Sequence, residues 1–150
     1  LLSLCYSFPS VLFHIRLENK YPLPSNIIIY LQVYKYKFYL NLNHSITING
    51  KRGEVHPHTW ELMVDIVTTD EKFREFSQIE KKLEQLLEKY QDKYINNIEP
   101  FQEINPTIEN AGDVFAEEIR KSIEEEGWQL LTFEISETPS RTYIINMLER

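Results

Sequence analysis

Cysteine is almost absent from this chain: Cys5 is the only one in 150 residues. That excludes an intramolecular disulfide and any cysteine-rich zinc knuckle. A metal site would therefore draw mostly on histidine, and there are four, His14, His44, His56 and His58. Basic residues are also in short supply, 16 against 23 acidic, for a net charge of −7 and a pI near 5.1. This balance argues against a nucleic-acid module that relies on broad basic patches. Long hydrophobic runs are missing too. The most apolar stretch, residues 1–15, is interrupted by Pro9 and His14. It is too short to span a bilayer and lacks the charged start of a signal peptide. There is no internal repeat and no low-complexity tract. What remains is 42% hydrophobic and 13% aromatic with a mean hydropathy of −0.40, in a length that can bury the core of one domain.

Residues 1–33 read differently from the rest, with Pro22 and Pro24 before a β-prone run at 27–31. They are expected to be an appendage, or an over-extended start, outside a functional domain at 34–150. From Tyr34 the pattern is regular. Tyr34, Tyr36, Phe38, Leu40 and Leu42 alternate with Lys35, Lys37, Tyr39, Asn41 and Asn43, the period of a strand. Asn49-Gly50 and Gly53 mark a turn region. His56, His58, Trp60, Leu62, Val64 and Ile66 then share one face of a second strand, making a β-hairpin.

Phe73, Phe76, Ile79, Leu83, Leu86, Leu87 and Tyr90 recur at helical spacing. Both Thr68-x-x-Glu71 and Ser77-x-x-Glu80 fit a capping box, and the second is preferred for the regular helix. A second helix is expected after Asn105-Pro106, capped by Thr107 and ended by Gly127. Two more strands, 128–136 and 141–148, are joined by Glu137-Thr138-Pro139-Ser140. The order ββααββ predicts an α+β fold, an antiparallel sheet with two helices on one face.

The sharpest local chemistry is His56-Pro57-His58. In a strand, residues i and i+2 point the same way, about 7 Å apart, so two imidazoles can converge on one ion. Zinc needs a third ligand and, if catalytic, an open fourth position. His44, ending the partner strand, is the candidate; His14 lies in the anomalous N-terminal segment. On these residues alone, a metal site and an unligated histidine cluster in an interaction module both stand.

The run from Phe38 to His44, followed by His56-Pro-His58-Thr-Trp60, resembles the 6-pyruvoyl-tetrahydropterin synthase and 6-carboxy-tetrahydropterin synthase family. Further matches follow in order: Glu75-Phe76-Ser-Gln-Ile79, Gln91-Asp92-Lys93-Tyr94-Ile95-Asn96, Asn105-Pro106-Thr107-Ile108-Glu109-Asn110, and Glu137-Thr138 before a strand containing Tyr143. The resemblance covers 34–150. It implies the tunnelling fold, in which such subunits associate into a barrel as trimers or hexamers. It also implies a cytoplasmic carbon–oxygen lyase, of queuosine or folate biosynthesis, acting on 7,8-dihydroneopterin triphosphate or a related pterin. By the same resemblance His44, His56 and His58 would hold zinc, and Glu137 with Thr138 would bind the pterin. No nucleic-acid or membrane partner is expected.

The chain departs from that family at two places. Residues 49–55 contain no cysteine where the family has its catalytic one, and the family's Asp-His pair appears as Asp92-Lys93. Glu54 is the alternative base, as in a branch of the family that uses glutamate; otherwise it is a solvated loop charge. Lys93 is either a surface lysine or a partner for substrate phosphates. Lys51, Arg52 and Arg141 are the other local cations available to a triphosphate. Glu109 and Asn110 are expected to fix the second helix, and Trp60 to sit in the core. A catalytically altered or inactive relative that still binds metal or pterin is the competing expectation.

Overall fold

The protein is represented by a computed structural model that describes residues 33–68 and 75–147. The segment before Val33, with the expected appendage, Cys5 and His14, lies outside the described residues, as do Glu71 and Phe73.

The first strand, β1 (Tyr34–His44), is built by the alternation noted above. Leu40, Leu42 and His44 are buried, while Tyr39 and Asn41 are exposed. A small hairpin follows, β2 (Thr47–Ile48) and β3 (Lys51–Arg52), turned by Asn49 and Gly50 at φ of 51° and 76°. Both turn residues are left-handed, the requirement of a two-residue I′ turn that Asn-Gly meets best. The chain then enters β4 (His56–Thr68), antiparallel to β1 in an unbroken register from Tyr34↔Ile66 to His44↔His56. Because side chains alternate with period two, that register places His44, His56 and His58 on one face of the sheet.

Helix α1 (Phe76–Leu87) buries Ile79, Leu83 and Leu87. The preferred Ser77-x-x-Glu80 box does not form: Ser77 lies inside the helix, and the N-cap is Glu75 with no side-chain cap bond. Phe76, one of the expected apolar positions, is 54% exposed and packs edge-on against Tyr34. Tyr90 lies beyond the helix and is fully buried, its hydroxyl donating to the Glu118 carboxylate. A two-residue strand, β5 (Lys93–Tyr94), then pairs in parallel with Leu42 and Asn43. The sheet is therefore mixed rather than purely antiparallel.

Helix α2 (Ile108–Glu124) begins as expected, with Thr107 accepting from the Asn110 amide. It buries Ala111, Phe115, Ala116, Ile119 and Ile123 against the sheet. Gly112 lies where α2 comes closest: a Cβ there would meet a Tyr143 ring carbon at 2.8 Å. The last strands are β6 (Trp128–Thr138) and β7 (Arg141–Asn146). Glu137 and Thr138 thus belong to β6 rather than to the connection, because Thr138 pairs with Arg141 across a tight turn. β7 spans Arg141–Asn146, and Leu148, the expected limit, lies outside the described residues.

The five-stranded order is β5-β1-β4-β6-β7. The core lies between this sheet and the helices, with Trp60, Leu62, Val64, Ile66, Phe133 and Ile135 fully buried on the covered face. Each at about 1.5–3 kcal/mol of burial, such side chains supply the main stabilisation. At one end of that face the apolar rows turn polar. Leu40 and Leu42 lead to His44, Trp60 leads to His58 and His56, and Phe133 and Ile135 lead to Glu137.

Candidate metal centre

The three histidines that the register places together present one nitrogen each within 4.8 Å of one another. Their ring centroids are 4.6 Å apart for His44–His56 and 4.9 Å for the other two pairs. His44 is almost fully buried; His56 and His58 are half-buried. Trp60 closes the floor, its ring edge-on to His44 at 5.2 Å and stacked with His58 at 6.3 Å.

Backbone carbonyls set two of the tautomers. Nδ1 of His44 lies 2.8 Å from the Pro106 carbonyl and Nδ1 of His56 lies 2.9 Å from the Glu54 carbonyl. A carbonyl only accepts, so each Nδ1 carries the proton and each neutral ring keeps its lone pair on Nε2. Holding the far ring nitrogen in this way is how metal-ligating histidines are oriented. Nε2 of His44 and of His58 is buried without a hydrogen-bond partner. Leaving such a nitrogen unsatisfied costs about 1–3 kcal/mol, so two in one place fit a site made for an ion. Burial pushes the His44 and His58 imidazoles below the ordinary histidine value. For His58 the Glu137 carboxylate opposes that shift and is the smaller influence. Neutral imidazole is the form that binds metal, so the three convergent nitrogens could hold an ion.

Glu137 is at the edge of the centre. Its Oε1 is 3.0 Å from Nε2 of His58 and 3.8 Å from Nε2 of His44. The contact with His58 is close but not aligned as a hydrogen bond. A register irregularity in the β6–β7 pairing falls between Ser136 and Thr138, at Glu137 itself. Thr138 is hydrogen-bonded to Ser140 instead, at 3.2 Å.

Among the described residues no side-chain bond joins the proton-transfer candidates Glu54, Asp92 and Lys93 to the triad. Glu54 touches it through its main chain only, and its residue is exposed. Asp92, at φ 57°, donates its amide to the Asn41 carbonyl. Lys93 pairs with the buried Leu42, while Asp92 and Lys93 are themselves exposed. Asp92 and His58 border one open hollow of about 390 Å³, with Asn41, Asn43 and Thr59.

Sequence reasoning missed the clamp that fixes His44. Asn96 accepts from the Ser45 amide and donates to the Ser45 carbonyl, at 2.9 and 2.8 Å. Asn105 does the same to Thr47, at 2.8 and 3.0 Å. Each amide side chain imitates a neighbouring strand and satisfies backbone groups that no ladder reaches. Asn110 in turn donates to the Asn105 carbonyl, which adds to its expected role at the helix start. The signal was the Asn105-Pro106-Thr107 motif, whose three residues clamp Thr47, hold His44 and cap α2.

The sequence pattern of the 6-pyruvoyl tetrahydropterin synthase family matches residues 33–147. No curated protein matches the chain in sequence. Among solved structures, the Caenorhabditis elegans 6-pyruvoyl tetrahydropterin synthase superposes with a TM-score of 0.65 at 13% identity, covering 81% of this chain and 99% of that one. The Plasmodium falciparum enzyme gives 0.54 at 14% identity, covering 75% and 96%. A Plasmodium vivax 6-pyruvoyltetrahydropterin synthase, a glutamate-to-alanine catalytic-residue mutant, gives 0.55 at 13%, covering 77% and 99%. At these identities the likeness is one of fold.

Proposed function

Because the chain belongs to the 6-pyruvoyl tetrahydropterin synthase family, we propose that it is a zinc-dependent pterin synthase of the 6-pyruvoyl or 6-carboxy type. Its substrate would be 7,8-dihydroneopterin triphosphate or a close relative. The observation that carries this reading is the histidine triad, with the Nδ1 atoms of His44 and His56 held by main-chain carbonyls and the Nε2 atoms of His44 and His58 buried without a hydrogen-bond partner. His44, His56 and His58 would hold the ion, which as a Lewis acid would polarise side-chain oxygens of the substrate and acidify the adjacent C–H.

The chain's own residues would do the rest. Glu137 can accept two hydrogen bonds from the aminopyrimidine edge of a pterin, and Thr138 follows it on β6. Glu54, at the entry to β4, is the nearest replacement for the missing cysteine as general base. The catalytic glutamate of the Plasmodium vivax relative supports that assignment by analogy. Asp92 would act with Lys93 on the substrate side chain, Lys93 meeting phosphate. A homo-oligomer, trimer or hexamer, in the cytoplasm goes with this reading. Among the described residues no helix is long and apolar enough to cross a membrane.

A second reading has an observation of its own. Residues 49–55 lack the family cysteine and Lys93 replaces the histidine, which favours a relative that keeps metal and pterin but not the chemistry. Metal analysis and turnover of 7,8-dihydroneopterin triphosphate separate the two. About one zinc per chain with turnover supports the enzyme; zinc without turnover selects the second reading, and no zinc sinks both.

A further inference from the structure

Glu137 is a largely buried carboxylate without a basic partner. Its side chain is 20% exposed, and among the described residues no lysine or arginine is paired with it. It faces two imidazole nitrogens instead, Nε2 of His58 at 3.0 Å and Nε2 of His44 at 3.8 Å. Neither contact is a hydrogen bond, since both nitrogens are buried without a partner. At His44 the tautomer forbids one: Nδ1 gives its proton to the Pro106 carbonyl, so Nε2 turns a lone pair toward the carboxylate. A carboxylate oxygen facing an imidazole lone pair in a sheltered place is repulsive on its own. Buried charges are paired or coordinate metal, and a cation between these atoms turns the same arrangement into attraction.

The spacings agree with a shared ion. Ligand atoms about 2.0–2.2 Å from a tetrahedral ion stand about 3.3–3.5 Å from one another. The distances of 3.0 and 3.8 Å lie on either side of that value. The backbone explains how Glu137 comes to be there. Ser136 pairs with Thr142 and Thr138 with Arg141, so β6 has one residue more than β7 at this point, and Glu137 is the extra one. A bulge of this kind re-aims the side chain it carries.

We propose that Glu137 is a fourth ligand of the ion held by His44, His56 and His58 while no substrate is bound, closing the coordination sphere to external anions until an incoming ligand takes the carboxylate. It rests on the pterin-synthase reading for the ion and for the ligand that displaces Glu137, and deepens that reading. The aminopyrimidine edge of a pterin would claim the carboxylate that the ion held, so recognition of the ring and exposure of the ion become one event.

The test replaces zinc by cobalt(II) in the full-length protein, because the visible spectrum of cobalt follows its coordination, and uses azide as the external anion. The wild-type spectrum should not respond to azide. Glu137→Gln should differ from the wild type before azide is added and should shift further when it is. Glu137→Ala should behave like Glu137→Gln and serves if that variant folds poorly. Zinc affinity is not the deciding measurement, since a carboxylate that merely oriented His58 would also be worth about 10–100-fold in metal affinity. Pterin itself, the ring without a side chain, should make the wild-type cobalt protein responsive to azide. About one cobalt per chain with the same azide response in wild type and Glu137→Gln, or with identical spectra before azide, overturns the proposal and spares the metal site. Absence of bound cobalt overturns both. An azide response confined to the variants, with no effect of pterin on the wild type, keeps the fourth ligand and removes only the pterin reading.

Discussion

Nδ1 of His44 donates to the main-chain carbonyl of Pro106 across 62 positions of sequence, at 2.8 Å. Pro106 stands just before the cap of α2, so the start of that helix and the end of β1 hold each other. The bond chooses the tautomer of His44 and aims its other nitrogen at His56 and His58. Fold and metal chemistry therefore share one hydrogen bond.

Metal content should follow the triad. His56→Ala, which removes one of three nitrogens, is expected to lower bound zinc from about one per chain to below about a tenth. Equal zinc in variant and wild type, by plasma emission analysis, would exclude this centre. His56 is half-buried where His44 is almost fully buried, so its removal disturbs the fold less than loss of His44 would.

Acid should destabilise the metal-free protein through His44 and His58. Their folded values lie below the ordinary 6.5, so between the two the unfolded chain binds more protons than the folded one. The contribution is whole above about pH 6.5 and is lost as pH falls from there through the depressed values. Urea midpoints of chelator-treated protein should therefore drop between pH 7.5 and 5.5, and drop less in His44→Phe. Midpoints that rise on acidification would contradict the shifts.

Glu54→Gln separates base from loop charge. As general base, the carboxylate should carry a factor of about 10²–10⁴ in kcat, lost in the variant with zinc retained. The main-chain bond to His56 survives this change, which is why zinc should stay. An unchanged kcat removes Glu54 from the mechanism.

Gly112→Ala should destabilise the fold even though alanine is the better helix former. The new Cβ would sit 2.8 Å from Tyr143 Cδ1 and 3.1 Å from Ile135 Cγ2. Overpacking of this kind costs about 1–3 kcal/mol, against a propensity gain of about 1 kcal/mol. Combining it with Tyr143→Ala should recover most of the loss attributed to the clash, measured as the coupling in urea unfolding.

Alternation made β1 and β4 legible, because each buries one face and exposes the other. Thr107 was legible as a cap because its hydroxyl serves a neighbour three residues on. The start of α1 was not: Ser77 satisfies a local pattern, yet packing begins the helix at Phe76 with no side-chain cap. Strand β5 escaped notice because two residues carry no periodicity, and their pairing with Leu42 and Asn43 is wholly non-local. Glu137 looked like part of a turn, since Pro139 and Ser140 follow it, until pairing of Thr138 with Arg141 extended β6 through it.

The sequence by itself determined the kinds of element, their order, and which three histidines could meet, since period and spacing are properties of neighbours along the chain. Tertiary structure alone decided that they do meet, in which tautomer, and with which partners. His44 learns its proton position from Pro106, Ser45 its place from Asn96, and Arg52 its direction from Ser45 and Tyr94. The shortage of cysteine left histidine to carry the chemistry, and the fold alone brought three of the four together.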